Sequence, residues 1–169
     1  TKKKTSRLGK GDKPLTIEEY FAFNKYVLDR KCTSWMTQRQ KVVALLMSTL
    51  GLRRIEVQFL KKEDVDFDIL KVNPSTTKGG KPRQVKLPLD NRVAEEIQKL
   101  YKLYDANGIV GDYVIMDKNG SHLKDIGAIN VMINGKTLYD DNGDIDQTRS
   151  NGIVGMAMRR GIIKTKALP

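Results

Sequence analysis

The string Ser48-Thr49-Leu50-Gly51-Leu52-Arg53-Arg54-Ile55-Glu56 is where the reading of this chain begins. Just before and within it, Val42, Val43, Leu45, Leu46, Met47 and Leu50 cover most of a helical circumference, which predicts a helix buried inside its domain. Ser34 or Thr37 can cap that helix, and Gly51 stops it. A short helix is expected to open at once, from Leu52 or Arg53 to about Leu60. A helix start offers free backbone N–H groups, and an arginine there adds a two-pronged donor that matches phosphate oxygens. Glu56, three residues after Arg53, shares its helix face and can brace the guanidinium by an i,i+3 ion pair. The spacing alone also fits an ordinary surface pair worth a few tenths of a kcal/mol.

Working outward, Thr16-Ile17-Glu18-Glu19 is a capping box behind Pro14, and Ile17, Tyr20, Phe21, Asn24, Val27 and Leu28 extend it into a helix over 16–30. On the other side, residues 63–68 read as an acidic turn. Ile69 to Val72 and Gln84 to Leu87 read as two strands of a β-hairpin, with a mobile turn from Pro74 to Pro82 and Gly79-Gly80 at its tip. Residues 71–86 hold Lys71, Lys78, Lys81, Arg83 and Lys86 and no acid, so a basic loop is presented on a fixed support. A mobile ammonium in such a loop can give a proton to a leaving oxygen or pair with phosphate; a soluble, aggregation-resistant edge is the plainer use of the same charges. Further on, Asn91 caps a helix striped by Val93, Ile97, Leu100 and Tyr104 that ends at Asn107-Gly108. Residues 113–116 are a short strand-like run and 118–120 a turn. Ile126 to Ile133 is a helix, and a last helix runs from Thr148 or Ser150 to Arg160, stopped by Gly161. The fold class is α+β, mostly helical with a small antiparallel sheet.

Composition bounds the function. The 169 residues carry 31 Lys and Arg against 20 Asp and Glu, a net charge of +11, which points to a polyanionic partner. Residues 1–13, with Lys2, Lys3, Lys4, Arg7, Lys10 and Lys13, read as a flexible basic arm or linker, and 14–169 as the folded domain. One cysteine excludes an internal disulfide, and one histidine, His122, excludes a mechanism that needs two imidazoles. Cys32 has no local base and reads as a buried or idle thiol; His122 reads as exposed and idle. No apolar run approaches the roughly 20 residues of a membrane span, so a cytoplasmic protein is expected. Asp140 to Asp146 fails as a calcium loop, because its sixth and twelfth positions are Ile145 and Asn151 where Gly and Glu are needed. No metal or cofactor is expected.

The two basic features, in this order and with Lys78 following Arg53 by 25 positions, resemble the catalytic domain of tyrosine recombinases, the phage-type integrases. Leu50-Gly51-Leu52-Arg53 with Glu56 matches the family's first arginine box. Lys78-Gly79-Gly80-Lys81-Pro82-Arg83 with Leu87-Pro88 matches its lysine hairpin, and Leu15 to Glu19 looks like its usual opening. The likeness is good over about residues 13–105 and loose beyond. It implies that Arg53 holds the scissile phosphate, that Lys78 protonates the 5′ leaving oxygen, that Glu56 supports them, and that Lys81 and Arg83 touch DNA. It also implies a double-stranded DNA partner, self-association on DNA in the full-length protein, and strand cleavage and rejoining through a 3′-phosphotyrosyl link. The family's His-x-x-Arg and nucleophilic Tyr boxes have no match: His122 is followed by Asp125, and Tyr139 precedes an acidic turn. Residues 159–169 look like the approach to the His-x-x-Arg helix. The chain therefore reads as the N-terminal part of such a domain, its nucleophile lying outside it. A non-catalytic DNA-binding module is the alternative, and a basic RNA- or protein-binding domain a third. The 169-residue chain is expected to form no covalent product with DNA; a protein–DNA adduct trapped on a nicked duplex would contradict this.

Overall fold

The computed structural model describes residues 15–74, 83–87, 92–135, 141–142, 144 and 152–164. The basic arm, Lys78, Lys81, the Gly79-Gly80 tip and the cap positions Asn91, Thr148 and Ser150 lie outside them. The described elements are α1 (Ile17–Asp29), α2 (Trp35–Ser48), α3 (Arg54–Gln58), β1 (Val65–Asp66), β2 (Lys71–Val72), β3 (Val85–Lys86), α4 (Arg92–Ala106), α5 (Ile126–Asn134) and α6 (Ile153–Arg159). Helices thus dominate, with one three-stranded antiparallel sheet.

Local chemistry explains most helix ends. Thr16 Oγ1 accepts the Glu19 N–H at 3.1 Å, and Glu19 Oε1 accepts the Thr16 N–H at 3.3 Å, the reciprocal pair that opens α1. Ser34 caps α2 by accepting the Thr37 N–H at 3.2 Å. At the other end of α2, Gly51 adopts φ +65°, and the Leu52 N–H reaches back to Leu46 O at 3.2 Å, the six-residue closure that left-handed glycine permits. Asp125 caps α5 through the Gly127 N–H. Gly152, which starts α6, must be glycine for another reason: a Cβ there would lie 2.1 Å from Gly135 N, because α6 begins hard against the end of α5.

As the apolar circumference predicts, α2 is the buried centre. Lys41 through Ser48 are all buried, and the helix packs against α1, α3, α4, α5 and α6. Phe23 and Val27 of α1, Ile97, Leu100 and Tyr104 of α4, Ile129 and Ile133 of α5, and Ile153 and Val154 of α6 close around it. The Tyr104 hydroxyl donates to Val114 O at 2.9 Å and accepts the Met116 N–H at 3.0 Å, tying α4 to the 113–116 segment. That segment forms isolated bridges, Lys61 with Tyr113 and Met116 with His122. Cys32 is buried.

Two expectations are corrected. Residues 63–68 are not simply a turn: a 3₁₀ turn at Lys62–Asp64 leads into β1. Val65 is buried opposite Val72, while the acids serve the local backbone. Asp64 Oδ2 accepts the Lys61 N–H, and Asp66 Oδ1 accepts the N–H groups of Asp68 and Ile69, so the acidic composition conceals a strand. His122 is half-buried rather than exposed: its ring lies 4.8 Å from that of Phe59 and 5.2 Å from that of Tyr113, and Nδ1 is 2.9 Å from Leu123 O.

In the centre of this strongly basic chain one lysine is taken inside. Lys41, 2% exposed, donates to Leu28 O at 2.9 Å and Arg30 O at 2.7 Å, and pairs with Glu96 Oε2 at 2.9 Å. A cation on the terminal carbonyls of α1 suits the negative end of its dipole. The acid on α4 balances the charge, and Gln38 donates to the same carboxylate at 2.7 Å. Lys41→Met leaves Glu96 without its cation and both carbonyls without their lysine donor. It is expected to cost about 3 kcal/mol, read as a lower urea midpoint at unchanged slope; wild-type stability would contradict it.

Candidate nucleic-acid interface

The junction between α2 and α3 places its residues by alternating burial. Leu52, fully buried, pins the chain just after the Gly51 bend. Arg53, next in sequence, is exposed and is the N-cap of α3, with extended backbone at φ −76° and ψ 158°. Val57 N–H donates to Arg53 O at 2.9 Å, so the arginine is held by the helix it starts. Its guanidinium has no ion-pair partner among the described residues. With only five residues, α3 supplies little macrodipole, and the positive character of the junction comes from its arginine side chains.

Glu56 does not brace Arg53 as the i,i+3 spacing predicts. Its carboxylate folds back onto the backbone: Oε1 accepts the Arg53 N–H at 2.8 Å. The charge partner comes from the hairpin, where Arg83 Nη2 donates to the same Oε1 at 2.5 Å and reaches Gly51 O at 3.5 Å. The helical i,i+3 ladder begins only inside the helix, and Arg53, as N-cap, stands outside it with its side chain directed by extended backbone. The Glu56 side chain is fully buried and that of Arg83 35% exposed. A carboxylate so buried requires a cation and donors, and the one described cation that reaches it lies two positions before β3. Arg83 as partner was signalled by parity: it lies two positions before Val85, whose partner Val72 is buried, so it sits on the core side of the strand.

On the other face of the sheet the register sets Asp66 opposite Lys71 and Lys71 opposite Lys86. Two lysines in direct cross-strand opposition repel and weaken the sheet. A surface that keeps such a pair, with Lys86 exposed, is suited to an anion that lies across both strands. Of the sequence-predicted site residues, Arg53, Glu56 and Arg83 meet at one place, joined through the Glu56 carboxylate. Lys78 and Lys81 fall outside the described residues. Among the described residues no three His, Cys, Asp or Glu side chains group as metal ligands, and no helix is long and apolar enough to cross a membrane.

Because Glu56 and Arg83 share one buried contact, their substitutions should not add. Glu56→Gln and Arg83→Gln are each expected to destabilise the domain, and the double variant should cost less than the sum by about 1–2 kcal/mol. Urea unfolding of the four proteins measures this; strict additivity would mean that the pair carries no energy.

No family model and no curated protein matches the sequence. Solved structures do match the fold. XerA recombinase superposes with a TM-score of 0.56 at 20% sequence identity, over 72% of this chain and 41% of that one. This chain therefore corresponds to less than half of that recombinase's length, and at this identity what the two demonstrably share is the fold.

Proposed function

We propose that this chain is the first part of a tyrosine-type recombinase catalytic domain, acting in DNA strand cleavage and rejoining with a tyrosine nucleophile supplied from outside these 169 residues. The observation that carries this reading is an exposed Arg53 at the N-cap of α3, seated on a buried Glu56 that also holds the hairpin strand through Arg83. This joins the two boxes that the family resemblance rests on, and the fold shared with XerA recombinase supports the same reading. In the reaction, the tyrosine oxygen attacks the scissile phosphorus and the bond to the 5′ oxygen breaks. Arg53 stabilises the charge that grows on the non-bridging oxygens. Lys78, as an ammonium, gives its proton to the departing 5′ oxygen, and the covalent phosphotyrosyl link keeps the strand ready for rejoining. Glu56 keeps Arg53 in place by taking its N–H. Lys81 contacts the backbone of the duplex, and Arg83 offers DNA only what its bond to Glu56 leaves free. The partner is double-stranded DNA, with self-association on it in the full-length protein.

A non-catalytic DNA-binding module is favoured by a different observation, the opposed Lys71 and Lys86, which need only a phosphate backbone. The two readings separate cleanly in the full-length gene product. Arg53→Ala and Lys78→Ala are each expected to lower single-turnover strand cleavage by about 100-fold or more while duplex DNA is still bound. Cleavage at the wild-type rate in both variants would overturn the recombinase reading, and a wild-type protein that binds duplex DNA without cutting any substrate would favour the binding module.

A further inference from the structure

Arg83 is set apart from the other cations of the hairpin. Lys71 and Lys86 stand opposite one another on the outer row, whereas Arg83 has the inward parity of Val85. Its Nη2 reaches two acceptors on the α2–α3 junction, Glu56 Oε1 and Gly51 O. Its Nε is buried and meets no hydrogen-bond partner among the described residues, so that edge of the guanidinium is closed to a ligand arriving from solvent. The oxygen it holds on Glu56 is the one that accepts the Arg53 N–H. A single buried carboxylate oxygen thus links the backbone of the exposed arginine to the strand that follows Lys78 and Lys81 in sequence.

We infer that Arg83 is a positioning residue rather than a phosphate contact: through Glu56 it fixes the segment that leads into β3 against the N-cap of α3, and so holds the backbone of Arg53 in place. The physical requirement is an arginine. Both acceptors are met by one nitrogen, Nη2, which a planar guanidinium holds at a fixed angle, while a lysine carries its charge at the end of a flexible stem. The consequence for cleavage rests on the recombinase reading; the link between strand and N-cap does not.

Arg83→Lys and Arg83→Gln test it by three readouts. In amide hydrogen exchange on this chain, the Arg53 N–H is expected to exchange about 10-fold faster or more in both variants, with the buried Phe23 amide of α1 unchanged as the sign of an intact fold. In duplex DNA binding, Arg83→Gln is expected to keep the wild-type salt slope, since loss of a phosphate contact would reduce its magnitude by about 0.9. In the full-length gene product at saturating DNA, Arg83→Lys is expected to slow single-turnover cleavage about 10-fold or more. A slope reduced by about 0.9, or an Arg53 amide exchanging at the wild-type rate in either variant, would overturn the inference. So would unimpaired cleavage by Arg83→Lys where Arg53→Ala has lost it. If Arg53→Ala itself cleaves normally, the recombinase reading falls alone, and exchange and salt slope still decide the role of Arg83.

Discussion

A carboxylate with no exposed surface is the constraint around which the candidate site is arranged. Glu56 lies at the start of a five-residue helix, too short to hold itself in place by its own hydrogen bonds. Burying its charge is tolerable only because an amide and a guanidinium converge on one of its oxygens. Those donors come from segments 30 positions apart, Arg53 and Arg83. Satisfying the carboxylate therefore brings hairpin and helix start together, and leaves Arg53 with its backbone held and its guanidinium without an ion-pair partner among the described residues.

The junction is seated on α2, the buried centre of the fold. Its side chains are buried from Lys41 onward, and five other helices rest on it. Lys41, midway along it, meets the last carbonyls of α1, and the Gly51 closure turns the chain at its C-terminal end. The charge of the molecule is divided accordingly. One lysine is drawn inside and matched by Glu96, whereas the sheet keeps Lys71 and Lys86 in mutual opposition at its surface. The first arrangement neutralises a buried cation, while the second sets two cations side by side with Asp66 on the far side of Lys71.

The likeness to XerA recombinase, at 20% identity, is one of layout. A layout of this kind can be preserved by hydrophobic pattern and a few capping residues while most surface positions differ. That is why composition by itself leads only as far as a polyanionic partner, and the ordered boxes are needed to reach phosphate chemistry.

What the sequence alone determined was whatever depends on neighbours a few positions apart. Thr16 with Glu19, Ser34, Gly51 and the apolar circumference of α2 prescribe helix starts, stops and burial, because caps and periodicity act within one or two turns. Tertiary structure decided which cation answers Glu56, that Val65-Asp66 is a strand within an acidic run, and that His122 is enclosed by Phe59 and Tyr113. Arg53, three positions away in sequence, is not the charge partner of Glu56. An N-cap residue stands off the helical ladder, and a buried charge pairs with whichever donor packing carries into the same dry space, a choice made by strand parity and chain topology rather than by distance along the chain.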